Sequence, residues 1–433
     1  MTLLATALVL AVFGVVLARQ LAGSGPPLYL VFLGGGLAFV ALGILSPGGA
    51  EQAIASELPV LVFLFSLFVF AAALERSGAL EHLARWVVGR AKRPEDLPFV
   101  IFVGFGLLSA FLVNDALVLL GVPILFSVAR TLRREVRPLL LTLAYAVTVG
   151  SVLTPIGNPQ NLLIASASGL PTPIATFLRY LLLPTVINLL VGGLYVRRRF
   201  GRTLAAPPEA PAPPRRDRLI PPGAWLPRLR RNPVLWVFPG TILVLFTTDL
   251  TAAITAGPTV PLYAVTAGGA MLTLALGGGR SRVLEDVDWS ILLLFVGLFV
   301  VVAGAVSGGV VGELQSTLPI PPPGAPGASA ASAVLSSLLG AQLFSNVPWV
   351  TLEIPVLHGL GYSSGTPIAW IALAAGSTLA GNVTLLGAAS NLIVVRQAEK
   401  LGVRLGLGAF VRDGLPISAF TILIVLAFLW IGL

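Results

Sequence analysis

A chain of 433 residues in which 56% of the side chains are hydrophobic and 10% charged is not a water-soluble globule; the composition is that of an all-α polytopic membrane protein. Its formal charge of +9 comes from basic residues in short runs between apolar segments, where topology signals belong, so the expected partner is the lipid bilayer and not nucleic acid. No cysteine and only two histidines, His82 and His358, exclude disulfides, thiolate chemistry and an ordinary metal centre.

The first apolar run, 2 to 18, has no Lys or Arg ahead of it and reads as a retained span, not a cleaved signal. Spans at 27–45 and 58–75 follow, each of the length needed to cross lipid. ALEHLARWVVGRAKR, from Ala79, reads as an amphipathic helix lying in the interface, with His82 solvated. Between 97 and 128, two apolar arms of about 15 residues flank the polar pair Asn114-Asp115, which is short for spans and natural for a re-entrant hairpin. A helix from Pro138 meets the break TPIGNPQN, with Thr154, Pro155, Gly157, Asn158 and Asn161, and a last span runs from 172 to 196. The Pro- and Arg-rich segment 197–232 is too polar for lipid and reads as a flexible linker.

The same order then recurs. PLYLVFLGGGL from Pro27 matches PLYAVTAGGAM from Pro261, FLVNDALVLLGVPIL from Phe111 matches LFSNVPWVTLEIPVL from Leu343, and LTPIGNPQNLLIA from Leu153 matches VTLLGAASNLIVV from Val383. Thr154 thereby pairs with Thr384, Gly157 with Gly387, and Asn161 with Asn391. The expected organisation is a first repeat at 1–196, the linker at 197–232 and a second repeat at 233–433. If each hairpin crosses nothing, each repeat has five transmembrane spans, and an odd number inverts the second repeat relative to the first. Under that topology 26 of the 27 Lys and Arg residues fall on one face and only Arg179 on the other, which sets the linker in the cytoplasm and both termini outside the inner membrane.

Four polar islands result: the tips Asn114-Asp115 and Ser345-Asn346, the break 154–161, and its twin with Thr384, Gly387, Ser390 and Asn391. Six of the eight asparagines (Asn114, Asn158, Asn161, Asn346, Asn382 and Asn391) lie in or beside them. Broken helices offer unpaired N–H groups that suit a small anion, and unwound carbonyls that suit a cation. Substrate contacts are therefore expected from Asn114, Thr154, Pro155, Gly157, Asn158, Asn161, Ser345, Asn346, Thr384, Gly387, Ser390 and Asn391. Gly157 and Gly387 are expected to let the backbone approach closely and to adopt positive φ, and Pro155 and Pro159 to keep the helix from closing. Asp115, the only carboxylate at a tip, is a candidate proton or cation carrier, the other reading being a helix cap. Asn114, Asn346, Asn382 and Glu353 are further coupling candidates, Glu353 being set toward water about 10 Å beyond Asn346; a sodium ion would use Asn114, Gly157, Asn346 and Gly387. Arg179 reads as a snorkelling side chain, and the glycines at 34–36 and 268–269 as close helix packing, not phosphate loops.

On these motifs the chain resembles the ion transporter superfamily of arsenite permeases, NhaD-type sodium/proton antiporters, citrate transporters and divalent anion symporters. TPIGNPQNLL is similar to the signature of YbiR-like anion permeases. FSNVPWVTLEIPVL, GNVTLLGAASNLIV and VDWSILLLFVGLFVVVAG resemble arsenite permeases and the melanosomal P protein. The resemblance implies a homodimer, scaffold spans at 1–76 and 233–308, and transport parts at 97–196 and 328–433 that move like an elevator. The symporters' Ser-Asn-Thr tip stands here as Val113-Asn114-Asp115 and Ser345-Asn346-Val347, which sets the chain nearer the arsenite and antiporter branch. The expected function is a secondary permease for a small inorganic or organic anion or oxyanion, driven by H+ or Na+ with no other cofactor; a sodium/proton antiporter is the alternative. No Walker motif, Ser-His pair or paired-Asp set is present, so an enzyme is not expected and ATP drive would need a separate soluble ATPase partner.

Overall fold

The computed structural model describes residues 1–22, 25–205, 232–277 and 279–432, and every regular element among them is helical. The first half comprises α1 (Thr2–Ala22), α2 (Leu28–Ala41), α3 (Pro47–Ser56), α4 (Leu58–Ser77), α5 (Ala79–Val88), α6 (Leu97–Ser109), α7 (Asn114–Leu132), α8 (Arg137–Gly150), α9 (Pro159–Ala167) and α10 (Pro173–Ala205). The second comprises α11 (Val234–Thr255), α12 (Leu262–Leu276), α13 (Arg280–Glu285), α14 (Trp289–Ser307), α15 (Val310–Thr317), α16 (Pro326–Phe344), α17 (Asn346–Gly359), α18 (Pro367–Ala380), α19 (Ala389–Lys400) and α20 (Leu407–Trp430). Eight of these helices are long and apolar enough to cross a membrane.

Several elements differ from expectation: α2, with 14 residues, falls short of the span expected at 27–45 and is not among these eight. One arm of each hairpin, α7 and α16, has 19 residues and exceeds the length read from sequence, because the helix continues past the apolar stretch into basic or small residues. The last helix of the first half continues through Arg197 to Ala205, where Arg197 pairs with Asp96 at 2.8 Å and Arg199 with the buried Asp413 at 2.7 Å, so the start of the expected linker is helical. Residues 206–231 of that linker lie outside the described residues. His82 is not simply solvated: its Nδ1 lies 2.7 Å from the Gly78 carbonyl, where Gly78, at φ 73°, turns the chain from α4 into the amphipathic α5.

Lipid is as apolar as leucine, so helices here gain from close approach more than from burial. Gly297 of α14 lies directly on the backbone of Leu33 in α2, and a Cβ on Gly36 would sit 3.0 Å from Val300. Gly35, Gly36 and Gly269 pack against neighbouring helices as expected, whereas Gly34 and Gly268 face open space. Polar bonds then tie one half to the other. Tyr145 donates to the Phe410 carbonyl (2.8 Å), Asn188 to the Thr421 carbonyl (3.2 Å), and Asp249 of α11 accepts from the Ile174 and Ala175 amides at the start of α10 (3.3 and 2.7 Å).

Candidate functional site

All four polar islands meet at one cavity of about 120 Å³. It is reached by the first residues of four helices: Asn114 and Asp115 open α7, Pro159 and Gln160 open α9 behind Asn158, Asn346 and Val347 open α17 behind Ser345, and Ala389 and Ser390 open α19. Each break forms because the chain cannot continue its helix there. Gly150 ends α8 in a tight turn over Ser151–Leu153, and Pro159 then starts a new helix whose cap is Asn158, accepting from the Asn161 amide at 2.8 Å.

The opposite wall is apolar: Val16, Leu28, Phe32, Ile291, Leu294 and Phe295, from α1, α2 and α14. No Lys or Arg lines the cavity, and Asp115 is its single carboxylate; among the described residues that carboxylate makes no hydrogen bond or ion pair. Asn346 is 5% exposed with its Oδ1 unpartnered. Ser345 stands at φ 68° and ψ 161°, a backbone region open almost only to glycine, and so brings strain to the cavity rim. Asn114 is held in place: its Nδ2 donates to the carbonyls of Gly157 and Val147 at 3.2 Å and its Oδ1 accepts from Ser151 Oγ at 3.1 Å.

The remaining predicted residues stand behind this wall. Asn161 is fully buried and donates to the carbonyls of Ser151 (3.0 Å) and Thr154 (3.1 Å); Asn391 repeats the pattern at Gly381 (2.6 Å) and Thr384 (3.3 Å). Thr154 donates to the Ala110 carbonyl and Thr384 to Gln342 Oε1 (2.6 Å), which fastens each break to the preceding hairpin. Neither Pro155, Gly157 nor Gly387 lines the cavity, and the glycines do not adopt positive φ; their role is close approach, since a Cβ on Gly157 would meet the Ser151 backbone and one on Gly387 the Ala380 carbonyl at 2.9 Å. Of the expected sodium positions only Asn114 and Asn346 reach the cavity. Asn382 is buried elsewhere, donating to the Tyr145 carbonyl at 3.3 Å. Glu353 is not near water: it is 1% exposed between the arms of the second hairpin, where Ser336 and Ser337 donate to it. No group of three or more His, Asp or Glu side chains gathers among the described residues.

Sequence reasoning missed Gln160, although it lies inside the quoted motif, and Thr378, whose hydroxyl accepts from Asn158 (3.2 Å) and Gln160 (3.4 Å) and donates to Asn161 (3.2 Å). Thr378 aligns with Thr148 at the repeat offset that pairs Thr154 with Thr384, the one signal that could have found it. The apolar wall carried no signal.

Residues 8–376 match the family model described as Citrate transporter, CitMHS. The chain belongs to the citrate transporter family. It is a membrane transporter and not an enzyme. Similar members include an uncharacterized transporter of Mycobacterium tuberculosis, 28% identical over 392 residues that span 86% of this chain and 85% of the relative. The silicon efflux transporter LSI3 of Oryza sativa is 27% identical over 407 residues, 81% of each chain. The inner membrane protein YbiR of Escherichia coli is 35% identical over 141 residues, 33% of this chain and 37% of that one. Among solved structures, the Alcanivorax borkumensis YdaH transporter matches with a TM-score of 0.57 at 17% identity, covering 94% of this chain and 98% of that one; the likeness is one of fold.

Proposed function

We propose that this member of the citrate transporter family is a secondary carrier of a small anion or oxyanion, coupled to H+ or Na+ through Asp115. The observation that carries the reading is the convergence of four helix N-termini on one cavity without a basic side chain. The termini of α7, α17 and α19 present N–H groups without intrahelical partners, α9 adds the Gln160 amide, and each end carries about half a positive charge, so the backbone alone supplies a field for an anion. The cavity of about 120 Å³ is a few water volumes in size and far below the roughly 300–1,000 Å³ of pockets that hold drug-sized ligands, which favours a compact solute such as an inorganic oxyanion or arsenite-like hydroxide over a large one.

The two walls suggest how it moves. A polar wall built from hairpin tips and breaks can slide along an apolar wall without stripping a hydrogen bond from either, which suits an elevator carrying the site between the two faces; the repeats lie inverted, five spans each, in a homodimer. The unbonded carboxylate of Asp115 favours one second reading, a sodium/proton antiporter in which that group exchanges the cations.

Uptake into proteoliposomes separates the cases. Phosphate, sulfate, arsenite, silicate and citrate are offered under imposed H+ or Na+ gradients, and accumulation of one of the small solutes that follows a gradient supports the carrier. Flux indifferent to both gradients refutes coupling, and sodium-driven proton release with no anion requirement selects the antiporter.

A further inference from the structure

At the arginine-bearing face a separate cavity of about 270 Å³ opens between α5 (Arg85, Val88), the 89–94 segment with Lys92 and Arg93, and the mouth of the first hairpin, where Leu97 begins one arm and Val128 and Leu132 end the other. Its chemistry is divided. Lys92 and Arg93 stand exposed at the rim, while Val88, Leu97 and Val128 line an aliphatic interior and Leu132 stands exposed at its mouth. Of the nearby carboxylates, Glu81 is engaged with Arg85 at 2.9 Å and Asp96 with Arg197 at 2.8 Å, and Glu95 holds Arg93 at 3.4 Å in an exposed pair that a phosphate can displace. Lys92 has no ion pair among the described residues. On the same helix Trp86 is 52% exposed with Arg90 stacked 4.2 Å from its ring, the amphipathic kind of side chain that settles at headgroup level.

We infer that this crevice binds an anionic glycerophospholipid, its phosphate on Lys92 and Arg93 and an acyl chain along Val88, Leu97, Val128 and Leu132. The cations choose an anion, and the apolar interior chooses one that brings its own hydrocarbon; a basic pocket between membrane helices at headgroup depth meets both demands. The occupant touches the surface helix and both ends of the hairpin at once, so it fastens the hairpin mouth to the interface helix. The inference does not depend on which solute the transporter moves.

The test titrates the purified full chain, reconstituted in phosphatidylcholine, with fluorescent phosphatidylglycerol. A saturable midpoint is expected, raised about fivefold by Lys92→Gln or Arg93→Gln alone and about thirtyfold by both, from the attraction of one basic side chain near an anionic headgroup. Thr131→Trp, which fills the mouth without changing charge, also raises it, while Lys400→Gln with Arg404→Gln, also basic but outside the crevice, leaves it unchanged. A double variant that titrates like the parent, or a control pair that shifts as far as the crevice pair, overturns the site. Competition by glycerol phosphate as effective as the lipid's own overturns the lipid assignment in favour of a free phosphate compound.

Discussion

Replacing Asn161 by alanine separates the residues that hold the break from those that face the solute. Its Nδ2 serves the Ser151 and Thr154 carbonyls at 3.0 and 3.1 Å and its Oδ1 takes the Thr378 hydroxyl at 3.2 Å, all in a fully buried setting. Thr378 can turn to its other neighbours, whereas the two carbonyls keep only longer bonds of 3.4 Å, Ser151 from Asn158 Nδ2 and Thr154 from the Gly157 amide. A hydrogen bond lost where a weaker one remains costs about 0.5–1.5 kcal/mol, so the expected loss for the two is about 1–3 kcal/mol. Asn346 lines the cavity, and among the described residues its side chain makes no hydrogen bond, so Asn346→Ala should change stability by less than about 1 kcal/mol yet abolish most uptake. Denaturant unfolding of both purified variants in nanodiscs, with uptake normalised to folded protein, reads the difference. An Asn161→Ala protein as stable as the parent, or less affected than Asn346→Ala, would refute the division between scaffolding and solute-facing asparagines.

Asp115→Asn should retain solute binding while uptake loses its response to an imposed proton or sodium gradient; a gradient response kept intact removes Asp115 from the coupling path, since its carboxylate caps no amide of α7. Ser345→Gly removes a backbone strain of about 1–3 kcal/mol and adds about 0.5–1 kcal/mol of chain freedom in the unfolded state, so thermal unfolding should show it up to about 2 kcal/mol more stable than Ser345→Ala. A glycine variant less stable than the alanine variant contradicts the strain. Asp249→Ala deprives the first turn of α10 of its acceptor and should cost about 1–2 kcal/mol in the same assay, with Asp249→Asn milder; equal stability of all three proteins would show that the cap contributes nothing.

The sequence by itself determined the solvent, the repeat and the places where helices stop. Lipid penalises every unpaired polar group, so Pro, Gly and Asn concentrated at 154–161 and again from Thr384 mark the breaks before any coordinates are seen. It could not determine which way each side chain faces. Asn158 and Asn161 sit three residues apart in one motif, yet one lines the cavity and the other ties the chain behind it, because the direction is set by a turn at 151–153 and by Thr378 from the other half. Glu353 looked like a residue near water because hydropathy records distance along a helix and not the two serines on the facing arm. The apolar wall of Val16, Phe32 and Phe295 is indistinguishable in sequence from lipid-facing surface; only packing decides whether such a residue meets lipid or solute, since both surfaces carry the same hydrocarbon and differ in nothing but what lies across from them.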